Sequence, residues 1–168
     1  MKTGGWKDWF EMAGLAAILV SLVFLGYQLR QDQLIARSEL ASASFEMQID
    51  INQQLLDPDF AKTYVAMLER PEELSLQQKL QIDALFHSVV RLFVRECFML
   101  ARDIFVECHG IIRNNVRRYF GNPYGQAWWR DNRYYYPQAP LPEWLDEEIE
   151  NMDPNTTREA LERFGKPR

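Results

Sequence analysis

Hydrophobic and polar positions divide this chain into an apolar opening, an amphipathic middle and a second half crowded with aromatic and charged residues. From Met12 to Leu29 the sequence MAGLAAILVSLVFLGYQL carries no formal charge and lies between Glu11 and Arg30. As an α-helix rising 1.5 Å per residue it reaches about 27 Å, close to the ~30 Å hydrocarbon core of a bilayer. Trp6, Trp9 and Phe10 precede it and Tyr27 closes it, where interfacial aromatics anchor a span. The pattern predicts a single transmembrane helix with the lipid bilayer as its partner. A cleaved signal peptide would need a small-x-small site soon after the apolar core. The bulky and charged Tyr27-Gln28-Leu29-Arg30 stands there instead, and the nearest Ala-x-Ala, Ala41 to Ala43, is too far downstream. A core helix of a soluble domain keeps a polar stripe. Here only Ser21 and Gln28 interrupt the run.

From Arg30 to Leu56 no Pro or Gly interrupts a sequence rich in Gln, Ala, Leu, Ser and Glu, so the span is expected to continue into a stalk helix. Leu34, Ala41, Gln48 and Leu55 step by seven, as do Ile35, Ser42, Ile49 and Leu56. Polar members in both series make this a weak heptad, consistent with an amphipathic helix packed on its own domain or with a self-associating stalk. Asp57-Pro58-Asp59 ends it: Asp57 is a good N-cap and Pro58 a good first residue for a second helix, stopping near Arg70-Pro71. Ser75 and Gln78 have capping-box spacing ahead of the longest helix of the domain. Between Leu80 and Cys108 that helix is apolar almost all round, which predicts burial at the centre of a bundle. Arg91, Arg95, Glu96, Arg102 and Asp103 argue against a second span, since each central charge costs about 2.5–3.5 kcal/mol on insertion scales.

A further helical stretch, 111–120, puts Arg113, Arg117 and Arg118 on its polar side. Gly121-Asn122-Pro123 then reads as C-terminal cap, next N-cap and first turn. Trp128, Trp129 and Arg130 follow, the prolines at 137, 140 and 142 force an extended connector, and short helices are expected near 142–150 and 156–164. No strand alternation of useful length occurs. The expected fold is all-α: an N-terminal flank and transmembrane helix (1–29), a stalk helix (30–56), a helical bundle (57–151) and an acidic C-terminal tail with a short helix (152–168).

A net charge of −5 argues against nucleic acid as a partner. Two cysteines are too few for a secreted disulfide framework. Cys97 and Cys108, eleven residues apart, would lie roughly 16 Å apart on one helix, beyond disulfide reach. Basic residues flank the span evenly, Lys2 and Lys7 before it and Arg30 and Arg37 after it. Arg30 at the membrane edge and the cysteine usage favour a cytoplasmic C-terminal domain. His87, Cys97, Cys108 and His109 follow no metal-ligand spacing, no Glu-x-x-His pairs are present, and no catalytic or nucleotide motif is found. No cofactor is expected, and the chain reads as a non-enzyme.

Two groups remain as candidate contacts. Glu96, Arg102 and Asp103 lie on the charged face of the central helix, as a structural ion-pair network or a small-ligand site. Trp128, Trp129 and Arg130 could anchor a partner, since aromatics and Arg dominate interface hot spots, or could close the end of the bundle. The leading expectation is a membrane-anchored helical interaction protein whose partner is another protein or a second copy. A membrane-tethered sensor or enzyme is the alternative.

Four short segments carry a resemblance: Gly26-Tyr27-Gln28-Leu29-Arg30, Asp57-Pro58-Asp59-Phe60, Glu73-Leu74-Ser75-Leu76 and Ala127-Trp128-Trp129-Arg130. In these and in its layout to about residue 150, the chain resembles uncharacterised bacterial proteins with one N-terminal transmembrane helix and a helical C-terminal domain. The resemblance implies that architecture in a bacterial inner membrane. It implies no activity and no functional residues.

Overall fold

The computed structural model describes residues 4–100, 109–136, 141 and 144–163. All regular structure among them is helical: α1 (Gly4–Leu56), α2 (Pro58–Glu69), α3 (Leu76–Leu100), α4 (His109–Phe120), α5 (Pro123–Asn132), α6 (Trp144–Glu150) and α7 (Thr156–Glu162), with 3-10 turns at Pro71–Glu73 and Arg133–Tyr135. The all-α expectation holds. The chain divides into two compact units, Met1–Ser42 and Ala43–Arg168.

The first unit is the leading part of α1. Its apolar window is long enough to cross a membrane, and none of that window is buried. Trp6 and Phe10, one helical turn apart, meet edge to face with centroids 5.1 Å apart. Ser21 donates its hydroxyl hydrogen bond to the Ala17 carbonyl at 2.8 Å, so the helix itself satisfies this polar group in the apolar run.

The second unit is built from helices that begin where local chemistry starts them. The Asp57 carboxylate accepts from the amides of Asp59 (3.0 Å) and Phe60 (2.9 Å), and Pro58 occupies a position that needs no donor. Ser75 and Gln78 bond reciprocally, amide to side chain, at 2.9 and 3.3 Å: the capping box forms. At the α4–α5 junction the buried Asn122 accepts from the Gly125 amide (2.8 Å) and donates to the Tyr119 carbonyl (2.9 Å). Gly125 is required by this close approach, because a Cβ there would sit 2.7 Å from the Tyr119 carbonyl oxygen and 3.0 Å from the Phe120 Cα.

Gly121 follows α4 without the left-handed backbone of a glycine cap. Its small size serves instead: a Cβ would lie 2.5 Å from the Arg117 carbonyl oxygen and 2.9 Å from the Thr156 Cβ. One carbonyl in the last turn of α4 and the one just after the helix are met by α7. The Thr157 hydroxyl donates to the Arg117 carbonyl at 3.0 Å and the Thr157 amide to the Gly121 carbonyl at 2.9 Å.

The core of this unit is one cluster. Ile82, Leu85, Phe86, Val89, Val90 and Phe93 of α3 meet Phe60, Tyr64 and Met67 of α2, Ile112, Val116 and Phe120 of α4, and Trp128 and Trp129 of α5. From α1, Ile51 is buried in the cluster, with Met47 and Leu55 packed against it. The central helix is buried on one side only, contrary to the all-round burial that its composition suggests. Leu76 and Leu80 are 85% and 66% exposed and Phe98 is half-exposed, because α2, α4 and α5 cover only the face carrying Ile82, Phe86 and Phe93. The expected continuation of this helix over 101–108, with Arg102, Asp103 and Cys108, lies outside the described residues.

Candidate functional site

The tryptophan pair projects inward. Trp128 stacks on Phe120 (centroids 6.0 Å apart), meets Phe86 edge-on at 5.2 Å, and donates its Nε1–H to an Asp83 carboxylate oxygen at 2.7 Å. Trp129 packs on Phe120 and donates to Asp146 at 2.8 Å. Both indoles are buried, so each serves as a clip: its ring fills the core and its one donor is satisfied by a carboxylate on a neighbouring helix. Arg130, the next residue on the same helix, is exposed.

Beside Trp128, His87 Nδ1 lies 2.6 Å from the Tyr136 hydroxyl and Nε2 lies 3.6 Å from Asp83. This Asp–His–Tyr row ties the 3-10 turn after α5 back to α3. Burial pushes the Tyr136 hydroxyl pKa up; Arg91 opposes that shift and Asp83 adds to it. Among the described residues, no three His, Cys, Asp or Glu side chains come together as a metal site. Glu96 is buried in α3, and that burial raises its pKa to about 7. Its two companions on the charged face, Arg102 and Asp103, lie outside the described residues.

A concave feature forms elsewhere, where the end of α1 and helices α2, α4, α6 and α7 leave a groove of about 1240 Å³. Leu55 and Leu56 of α1 and Ala61, Tyr64 and Val65 of α2 contribute mostly apolar lining. Glu147 and Glu148 of α6, Asp153 of the following turn and Glu159 of α7 bring carboxylates to the lining, and Arg163 brings a cation. α4 contributes Arg113, Arg117 and Arg118. It is tied to α2 by the Tyr64 hydroxyl, which donates to the Arg118 carbonyl at 3.1 Å, and to α7 by Thr157. Burial drives the Tyr64 hydroxyl pKa well above its ordinary value, so the phenol stays a donor.

Glu148 takes two of these cations, Arg113 Nε at 3.4 Å and Arg117 Nη2 at 3.3 Å. The Arg113 guanidinium also lies 5.1 Å over the Trp144 ring. Glu159 is held by Arg163 at 3.0 Å. Leu56, Val65 and Leu161 stay largely exposed along the groove. A concavity that combines exposed apolar side chains with two signs of charge can hold an amphipathic segment.

The four described candidates from sequence do not assemble into one site; Arg102 and Asp103 lie outside the described residues. Trp128 and Trp129 are core, Arg130 is a surface cation, Glu96 is buried on α3, and none of the four lines the groove. The groove residues were visible only as separate signals: an Arg113/Arg117/Arg118 polar face, an acidic α6 and an apolar Leu55-Leu56. Their convergence depends on packing between helices far apart in sequence. No protein family, curated protein or solved structure matches this chain.

Proposed function

We propose that this protein is a single-pass, membrane-anchored interaction protein of a bacterial inner membrane. In this reading the 12–29 segment holds it in the bilayer, and the helical unit faces the cytoplasm and binds another protein, as an accessory subunit or scaffold. The observation that carries the reading is the open groove of the second unit. Its exposed Leu56, Val65 and Leu161 beside a filled core support that reading. The apolar length of α1 supports the membrane part.

The test is native mass measurement of the full chain, extracted in a gentle detergent. The expected result is a complex heavier than the 19.9 kDa chain, containing a second kind of subunit. A lone monomer under every extraction condition would overturn the reading. Orientation is tested separately with reporter fusions at the C-terminus, where activity confined to periplasmic reporters would overturn the cytoplasmic assignment.

A further inference from the structure

The structure separates the two seven-residue series of α1. In the second unit Leu55 of one series packs against the core beside Ile51, while Ile49 and Leu56 of the other stay exposed. In the first unit the exposed series continues toward the N-terminus as Ser42, Ile35, Gln28, Ser21 and Gly14. Ser21 and Gln28, the two residues that interrupt the apolar run, both fall on it.

With this series as heptad position a, position d of the first unit holds Ala17, Phe24, Gln31 and Ser38, and both sets are exposed. A straight helix drifts roughly 20° per heptad against a seven-residue repeat, so four heptads would carry the pattern about 80° round it. The pattern keeps one face when the helix winds on another helix of the same period. In lipid, polar side chains on a span favour a face that another helix covers, where they hydrogen-bond across the contact. In the second unit, Phe45 and Ile49 fall at the same sequence intervals and are exposed.

The chemistry of these positions identifies the facing helix. No a or d position from 14 to 42 is charged, although Arg30, Asp32, Arg37 and Glu39 lie among them. Gln28, Gln31, Ser38 and Ser42 each carry a group that both donates and accepts, so each can pair with its own image across a two-fold axis. Asp32 and Glu39 occupy the e flank, and the g flank carries the uncharged Tyr27, Leu34 and Ala41. In a parallel pair e faces g, so the carboxylates meet no like charge; in an antiparallel pair they would face each other.

We infer that α1 pairs in parallel with α1 of a second copy, along the face that carries Ser21, Gln28, Ile35 and Ser42. The inference rests on the reading of α1 as a membrane span and holds whatever the bundle binds.

The experiment oxidises full-length chains with one added cysteine in native membranes, the unsubstituted chain giving the background from Cys97 and Cys108. Ile35→Cys, Ser38→Cys and Ser42→Cys should yield about tenfold more covalent dimer than Gln33→Cys and Leu40→Cys, whose positions face away from the contact. Energy transfer between donor- and acceptor-labelled chains in liposomes gives a second measure. Ile35→Asp sets two carboxylates face to face and should weaken self-association about tenfold or more, while Gln33→Asp should leave it unchanged. Both positions lie outside the apolar run, and far-UV circular dichroism verifies that both variants remain folded.

No dimer from membrane-retained chains, cross-linking spread evenly round the helix, or equal effects of the two Asp variants would overturn the inference. A different protein cross-linked at 35 and 38 in place of a second copy would overturn it as well. The readings fail separately. Release of the chain by alkaline carbonate refutes the span and this pairing with it. A dimer cross-linked at 35 and 38 that recruits no second kind of subunit refutes the accessory-subunit reading and leaves the pairing standing.

Discussion

The sharpest test of the packing compares two truncations of large apolar side chains to Ala on one helix. Phe86 is fully buried, with its ring centroid 5.2 Å from those of Phe120 and Trp128 and 6.3 Å from that of Tyr124. Phe86→Ala removes the ring from a closed site whose neighbours belong to α4 and α5, so the cavity cannot fully collapse. Truncations of this kind cost about 3–5 kcal/mol, including the cavity term. For a unit the size of Ala43–Arg168 that corresponds to a fall in melting temperature of roughly 10–20 °C. Leu80 lies on the same helix and is equally apolar, but it is 66% exposed. Leu80→Ala should cost no more than about 0.5 kcal/mol, because an exposed helical Ala loses little packing and keeps helix propensity. The assay is thermal unfolding of the second unit's signal in the full chain, followed by near-UV circular dichroism of the core tryptophans. Equal losses for the two variants would refute the one-sided burial of α3 and reinstate a helix buried all round.

Two further outcomes follow from buried polar groups. Asn122→Ala should cost about 1–3 kcal/mol in chemical unfolding, since it strands the Gly125 amide and removes the bond to Tyr119; an unchanged midpoint would refute the junction. Burial raises Glu96 from 4.5 to about 7, so the folded unit binds more protons than the unfolded chain between those values. Its stabilising effect is fully present below about pH 4.5 and is lost as pH rises through about 7. Glu96→Gln should flatten that part of the stability–pH profile, and an unaltered slope would show that Glu96 does not titrate there.

Most of the chain's local punctuation was legible before any folding. Asp57-Pro58, Ser75 with Gln78, and Asn122-Pro123 carry their own capping chemistry, which acts over three residues and needs no distant partner. The apolar length of 12–29 is likewise a property of composition, and the structure leaves that stretch uncovered. The Trp128-Trp129 pair was legible only as two chemistries in one motif. A buried clip and an exposed anchor require the same residues, and only the positions of Asp83 and Asp146 select the clip.

Local patterns therefore determined that this protein is helical, where its helices start and which segment is apolar enough for a bilayer, because those properties depend on neighbours a few residues away. Tertiary structure alone decided which face of α3 is covered, why Gly121 must be small, and that Leu56, Val65, Arg118 and Glu147 line one groove. Those outcomes depend on helix pairs separated by tens of residues. A period of 3.6 shows that a helix has a face, but only the helix packed against it determines whether that face is buried.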